Sequence, residues 1–356
     1  MRTRATGFMI TALLASAIFG QAQTTTAAAM QDRLLHLNHA ETVQQFQEMT
    51  NAVRTLTEVR DLSADNEQMS LAVRGNSEQI GLAEWLVKQL DQPVEGTASP
   101  LSPEYRGLSD TDEQHLAITN GVARVFYLTY TANVQDFQEA ANAIRSVTET
   151  RRVATVNQGK AMLVRGTPTQ MAMVEWLVQS LDPDRQKTSS TAGEYTVGAD
   201  DVMRVFSIAN AKAVPEFQEI ANGIRSMAYI RRIVTLNTPR SIVVRSAPDQ
   251  MAMAEWLLGE VDKPAGERQS QASSDYRVPD SAYALAAAKS PHDDIVRVFH
   301  LAHAAAPEDL KRDLAQVTEG RNVFTYDSQH ALVVRGTPSQ MALAEKLIHD
   351  LDLPTR

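Results

Sequence analysis

One unit of about 60 residues is written four times along this chain, so whatever it folds into must be able to repeat. Each unit opens with Arg and an apolar run: Arg33-Leu34-Leu35, Arg124-Val125-Phe126, Arg204-Val205-Phe206 and Arg297-Val298-Phe299. Each closes on an acidic stop at Asp91, Asp182, Asp262 or Asp352, and the Arg-to-Asp spacing is 58, 58, 58 and 55 residues. Units two and three are identical at 27 of 59 positions, which sets the register. Four copies of one scaffold argue against an enzyme, because a single active site seldom needs them.

The period changes in a fixed order inside each unit. In unit three, Arg204 to Ala209 alternates as a short strand. Pro215 then stands in the first turn of a helix, where its missing N–H costs little. Phe217, Ile220 and Ile224 make one apolar stripe. Strand two spans Ile230 to Asn237, Thr238-Pro239-Arg240 turns the chain, and β-branched Ile242-Val243-Val244 forms the middle of strand three. A second helix starts at Ser246-Ala247-Pro248-Asp249 and turns Met251, Ala254, Leu257 or Leu258, and Val261 inward. The expected fold class is α+β: four tandem β-α-β-β-α two-layer modules, with an order like that of KH domains, joined by flexible linkers. The expected modules are 33–92, 124–183, 204–263 and 297–353, and the expected linkers are 93–123, 184–203 and 264–296. Linkers rich in Pro, Ser and Thr predict beads of adjustable spacing rather than a rigid solenoid.

Residues 1–22 read as a cleaved signal peptide. Arg2 and Arg4 precede an apolar stretch of 13 residues, Gly7 to Phe19, too short to span a bilayer, and Gly20-Gln21-Ala22 offers a cleavage site. No later segment reaches transmembrane length, so no membrane span is expected after cleavage. Losing Arg2 and Arg4 takes the formal net charge from −9 to −11. Diffuse acidity disfavours nucleic acid and anionic lipid, which call for basic patches. The chain has no Cys, so thiol chemistry, Fe–S clusters and most zinc sites are excluded, and packing alone must hold each unit.

Strand three of each unit runs into a recurrent motif: Val73-Arg74-Gly75-Asn76-Ser77-Glu78-Gln79-Ile80, Val164-Arg165-Gly166-Thr167-Pro168-Thr169-Gln170-Met171, Val244-Arg245-Ser246-Ala247-Pro248-Asp249-Gln250-Met251 and Val334-Arg335-Gly336-Thr337-Pro338-Ser339-Gln340-Met341. This pattern, with a following helix that closes on Leu-Asp, resembles the short N-terminal repeats of bacterial secretins. The resemblance covers all four units. It implies modules that build periplasmic rings and touch inner-membrane partners and cargo. The large β-rich domain that forms a secretin pore is not expected, since the sequence stops at Arg356, four residues after unit four.

Local chemistry gives the motif further expectations. Gly75, Gly166 and Gly336 are expected to permit backbone angles that other residues resist, although Ser246 stands in unit three. The Arg before the Gly is expected to pair with an acid of its own module, Glu84, Glu175, Glu255 or Glu345, rather than with a partner carboxylate.

The candidate contact residues are aromatic. Trp85, Trp176 and Trp256 share one position of the second helix, where unit four has Lys346. They pack against their own module's margin or contact the next unit; a polar replacement in the last unit suits the second reading. Tyr105, Tyr195 and Tyr276 follow the acidic stops by 14, 13 and 14 residues, each behind an acid, Glu104, Glu194 or Asp275. That spacing assigns each Tyr to the tail of the unit before it.

No catalytic, cofactor or metal site is expected. His36 and His39 align with His300 and His303, but units two and three have Tyr127 and Tyr130, and Ser207 and Asn210, at those places. Arg151-Arg152 and Arg231-Arg232 begin strand two where the other units have Arg60-Asp61 and Asn322-Val323. No nucleophile elbow, phosphate loop or dinucleotide fingerprint occurs. The expected function is therefore an exported, periplasmic, non-enzymatic scaffold in secretion or pilus-type machinery, with protein partners that include further copies of itself. The alternative is a monomeric tether or ligand-binding repeat protein unrelated to secretion. A KH-like nucleic-acid binder ranks third, because the Gly-x-x-Gly loop and the positive field are both missing.

Overall fold

The computed structural model describes residues 29–92, 103–111, 117–128, 130–181, 193–264, 272–279, 294–302, 307–317 and 323–352. The signal-peptide reading of residues 1–22 and much of the linker sequence lie outside them. Module one consists of β1 (Gln31–His36), α1 (Val43–Thr57), β2 (Asp61–Asp65), β3 (Ser70–Gly75) and α2 (Ser77–Leu90). Module two consists of β4 (Tyr105–Thr111), β5 (Ala117–Tyr127), α3 (Val134–Thr148), β6 (Arg152–Val156), β7 (Ala161–Gly166) and α4 (Pro168–Ser180). Module three has β8 (Tyr195–Gly198), β9 (Asp201–Ser207), α5 (Val214–Ala228), β10 (Arg232–Leu236), β11 (Ser241–Ser246) and α6 (Pro248–Val261). Module four has β12 (Tyr276–Arg277), β13 (Ile295–His300), α7 (Pro307–Val317), β14 (Val323–Tyr326), β15 (Ala331–Gly336) and α8 (Pro338–Leu351).

The β-α-β-β-α order recurs in all four, and every sheet is antiparallel. The sheet orders are β1-β3-β2, β4-β5-β7-β6, β8-β9-β11-β10 and β12-β13-β15-β14. The register repeats as well: Arg33 faces Val73, Arg124 faces Val164, Arg204 faces Val244 and Arg297 faces Val334.

Two corrections follow. First, the stretches read as linkers are not only linkers. They supply β4, β8 and β12, so modules two to four have four-stranded sheets. These strands escaped the hydrophobic pattern because they lie at an edge, where backbone pairing rather than alternating burial holds a strand. Second, the modules are not beads of adjustable spacing. The first helix of each module lies against the next module's sheet, α1 on β6, α3 on β10 and α5 on β14. One apolar cluster joins Phe46, Met49 and Val53 of α1 to Val125 and Leu163 of module two. Another joins α3 to Val205 and Val243 of module three, and a third joins α5 to Val298 and Val333 of module four. Strands β7, β11 and β15 are consequently buried along their whole length, whereas β3 is exposed at alternate positions. A strand apolar on both faces needs cover on both faces.

Module one differs at its outer face, which no other module covers among the described residues. Asp32, Ser63 and Asp65 are exposed there. Strand register places them at the positions of Ala123, Ala154 and Val156 in module two, and of Met203, Val234 and Leu236 in module three. The outer face of module one thus carries charged and polar residues around Leu34, which is also exposed.

Two recurrent motifs close the modules, Asp182 of the first motif lying outside the described residues. The acidic stop binds the loop after the first strand. Asp91 accepts N–H bonds from Asn38 and His39 at 2.8 and 2.7 Å, and Asp262 accepts from Ala209, Asn210 and Ala211. The motif Gln works at both ends of its side chain. Gln170 Oε1 accepts from the N-cap N–H of Thr167, and its Nε2 donates to the Glu149 carbonyl where α3 ends. Gln79 does the same between Asn76 and Thr57. The expected role of the motif glycines is corrected by this geometry. Positive φ among glycines is confined to Gly107 and Gly159 in the described residues. A Cβ on Gly75, Gly166 or Gly336 would instead meet the Gln Oε1 at 2.9, 2.7 or 2.8 Å.

Candidate functional site: the interface between modules

Three successive interfaces are built from equivalent residues. Units one to three share Phe-Gln-Glu in the first helix, ending at Glu48, Glu139 and Glu219. Each of these carboxylates reaches across to the strand hairpin of the next module. Glu48 accepts from the backbone N–H and the side-chain Nδ2 of Asn157, both at 2.7 Å. Glu139 accepts from Asn237 at 3.1 and 2.5 Å. Glu219 accepts from the N–H of Asp327 at 2.8 Å and from the Ser328 hydroxyl at 2.7 Å. Charged acceptors make the stronger class of hydrogen bond. The sequence signal was present: Phe-Gln-Glu gives way to Leu310-Lys311-Arg312 in unit four. A single sequence does not say that the motif serves the neighbour.

The motif Arg reads the end of the same helix. Arg165 donates to the Leu56 carbonyl at 2.7 Å, Arg245 to Val147 at 3.0 Å and Arg335 to Met227 at 2.9 Å. The last carbonyls of a helix lack internal partners and carry partial negative charge, so a buried guanidinium satisfies them. Arg245 also bonds Asp201 at 2.7 Å, and Arg335 bonds Asp294 at 3.3 Å. Arg74, which meets no helix end of another module among the described residues, is 59% exposed. The expected pairing with Glu84, Glu175, Glu255 and Glu345 is therefore corrected. Those acids bind the Arg that opens each unit: Arg33–Glu84, Arg124–Glu175, Arg204–Glu255 and Arg297–Glu345, at 2.5 to 3.0 Å. The two arginines occupy different positions along antiparallel strands, and the opening Arg is the one that reaches the second helix of its own module.

The residue that ends the first helix completes the contact. Glu58, Glu149 and Tyr229 all adopt left-handed backbone angles. Glu58 pairs with Arg152 at 2.8 Å and Glu149 with Arg232 at 2.6 Å, while the Arg335 guanidinium lies 4.7 Å from the Tyr229 ring centre. Arg152 and Arg232 are thus engaged between modules.

The aromatic residues form a second, lateral staple. Trp85 lies 5.6 Å from Tyr105, Trp176 5.6 Å from Tyr195 and Trp256 5.2 Å from Tyr276, ring centre to ring centre, all tilted. The Trp belongs to the second helix of one module. The Tyr backbone pairs within the next module's sheet, opposite Ala123, Met203 or Val296. Each Tyr therefore ties the preceding module by its ring and the following one by its backbone. Burial raises the Tyr105 hydroxyl above the usual range, helped by Glu78 and Glu84. The acids before the Tyr bind the opening Arg: Glu104–Arg124, Glu194–Arg204 and Asp275–Arg297, at 2.9, 2.8 and 2.6 Å.

The histidines are scattered in role. His36 is exposed at the end of β1, the His39 ring lies 3.4 Å from Asp91, His300 is buried in β13, and His303 lies outside the described residues. Among the described residues no group of three His, Cys, Asp or Glu is placed to hold a metal, and no helix is long and apolar enough to cross a membrane.

Residues 296–356 match the family of the bacterial type II/III secretion system short domain, Secretin_N. The comparison with curated proteins found no match. Among solved structures the chain is similar to ExeD of Aeromonas hydrophila, with 16% identity over 65% of this chain and 41% of that one, at a TM-score of 0.15. The N-terminal domain of the secretin XcpQ from Pseudomonas aeruginosa matches with 19% identity over 43% of this chain and 62% of that one, at a TM-score of 0.18. The type II secretion system secretin GspD of E. coli K12 matches with 13% identity over 66% of this chain and 39% of that one, at a TM-score of 0.15. The chain thus spans less than two thirds of each of these structures. The overall superpositions are poor, so the family match to residues 296–356 carries the relationship. The fourth module is a secretin N-domain-like unit, and the three before it repeat its β-α-β-β-α fold.

Proposed function

We propose that this protein is an exported, non-enzymatic scaffold of the bacterial cell envelope. It acts through protein–protein contacts in secretion or pilus-type machinery. The observation that supports this most is the match of residues 296–356 to the secretion system short domain, in a chain that stacks four such folds. The stack spends the chemistry of its recurrent residues on holding modules together: Glu48, Glu139 and Glu219, and Arg165, Arg245 and Arg335, are all used between modules. What such a design offers a partner is a long surface of fixed spacing. The proposed location is the periplasm, reached by cleavage of residues 1–22. Partners are proteins, further copies of this chain among them.

Two measurements test the proposal. Cell fractionation should find the protein outside the cytoplasm only when residues 1–22 are present; a cytoplasmic protein with or without them would end the envelope reading. Light scattering on residues 23–356 at two concentrations should show a discrete assembly if the chain builds rings alone. A monomer at both would leave the scaffold role to contacts with other proteins and exclude autonomous ring formation.

A further inference from the structure

Module one lacks something its three companions have. In modules two to four an added strand, β4, β8 or β12, covers the free side of the first sheet strand. In module one the corresponding side of β1 has no pairing strand among the described residues, and β1 is exposed at every position except Leu35. The three covered edges share one rule. The incoming strand runs antiparallel, and the acid before its Tyr binds the opening Arg. Arg33 is the opening Arg of module one, set by the same strand register. Its counterparts Arg124, Arg204 and Arg297 are 15, 22 and 17% exposed with their second acid in place, while Arg33 is 53% exposed with Glu84 alone.

We propose that the free side of β1 is a docking edge for an extended acidic segment of a partner protein, which adds antiparallel as a fourth strand and pairs a carboxylate with Arg33. An added strand gains main-chain hydrogen bonds from the edge, and its side chains supply selectivity. A helix is the wrong occupant of this edge, because its backbone N–H and C=O groups are already paired within it and cannot extend the ladder. A second copy of this chain is also disfavoured, since its three strands of this type are engaged in their own sheets. Charged residues on an exposed edge ordinarily guard against indiscriminate pairing. Here the guarding arginine is the residue that receives the incoming strand in the three other modules. This inference rests on module geometry alone and holds wherever the protein acts.

The test uses the full chain and a fluorescein-labelled peptide of residues 103–111, the β4 segment with its Glu104-Tyr105 pair. Anisotropy should show saturable binding. Arg33→Glu should weaken it about tenfold or more, and a peptide carrying Glu104→Lys should bind the Arg33→Glu protein better than it binds the unaltered protein. Arg33 is exposed, so its replacement leaves the fold intact, which circular dichroism checks. Three results overturn the proposal: no saturation at about millimolar peptide, binding indifferent to Arg33→Glu, or a dimer of the chain that Arg33→Glu dissolves. The last would assign the edge to a second copy.

Discussion

Gly223 of α5 faces Tyr326 of β14, and a Cβ on Gly223 would lie 1.9 Å from the Tyr326 hydroxyl oxygen. The tyrosine is wholly buried between modules three and four. Its counterparts at the two earlier interfaces are Val156 and Leu236, and those of Gly223 are Ala52 and Ala143. As the strand residue grows from Val to Leu to Tyr, the helix residue stays at Ala and then shrinks to Gly. Gly223→Ala should therefore loosen the last interface by about 1–3 kcal/mol, the usual cost of overpacking. Faster amide exchange in β14 and β15 would report it, and Tyr326→Leu should restore protection in the double variant. Unchanged exchange in Gly223→Ala would mean that the ring has room to move.

The same tyrosine predicts a pH dependence. Burial, with Glu219 nearby, raises its hydroxyl well above the usual 10.0. Between that ordinary value and the raised one, the unfolded state loses a proton that the folded state keeps, so stability is full below pH 10 and falls above it. The slope is about 1.4 kcal/mol per pH unit. Its hydroxyl has no hydrogen-bond partner among the described residues, so Tyr326→Phe should be neutral or stabilising near pH 7 and should flatten the alkaline limb. Denaturation midpoints measured between pH 8 and 11 would decide it, and an unaltered limb in the Phe variant would place the alkaline sensitivity elsewhere.

The motif arginine offers an internal control. Arg335 is buried, bonded to the Met227 carbonyl and paired with buried Asp294. Arg335→Met removes the 3.3 Å ion pair from that acid, a change of a kind that typically costs about 3–5 kcal/mol. Arg74→Met, at the same motif position but exposed, should cost about 0.5 kcal/mol or less. Similar costs for the two would show that the motif arginine serves its own module rather than the junction.

How much of this was legible in the sequence depended on how each contact is written. Repeat length, element order and the turns were visible, because burial within a module imposes its period on one unit. Stacking was only half visible. The unbroken apolar runs Met162-Leu163-Val164 and Ile242-Val243-Val244 are covered on both faces in the fold and Leu71-Ala72-Val73 is not, yet as sequences all three fit a strand covered on one side. The added strands were hidden because β12 pairs only two residues and backbone bonds leave no side-chain signature. The arginine partners were misassigned because two arginines and two kinds of acceptor recur at every unit, and spacing alone cannot match them.

The carboxylates of the Phe-Gln-Glu motif should behave as a set. Glu139→Ala removes an acceptor from the N–H and the side chain of Asn237, and charge-assisted bonds of this kind are worth about 1.5–3 kcal/mol each before relaxation and water replace part of them. A net loss of about 1–3 kcal/mol at the junction of modules two and three is expected. Arg312→Ala, at the equivalent position of module four, is 70% exposed and should change stability by about 0.5 kcal/mol or less. Guanidinium titrations followed by tryptophan emission can resolve the junctions, because Trp176 and Trp256 sit in successive modules and a stack of repeats need not melt as one unit. Glu139→Ala should shift the Trp176 signal toward lower denaturant and broaden the overall transition. A single unshifted transition would mean that the junction draws its strength from apolar contact between α3 and the sheet below it, with the carboxylate setting only the register of the stack.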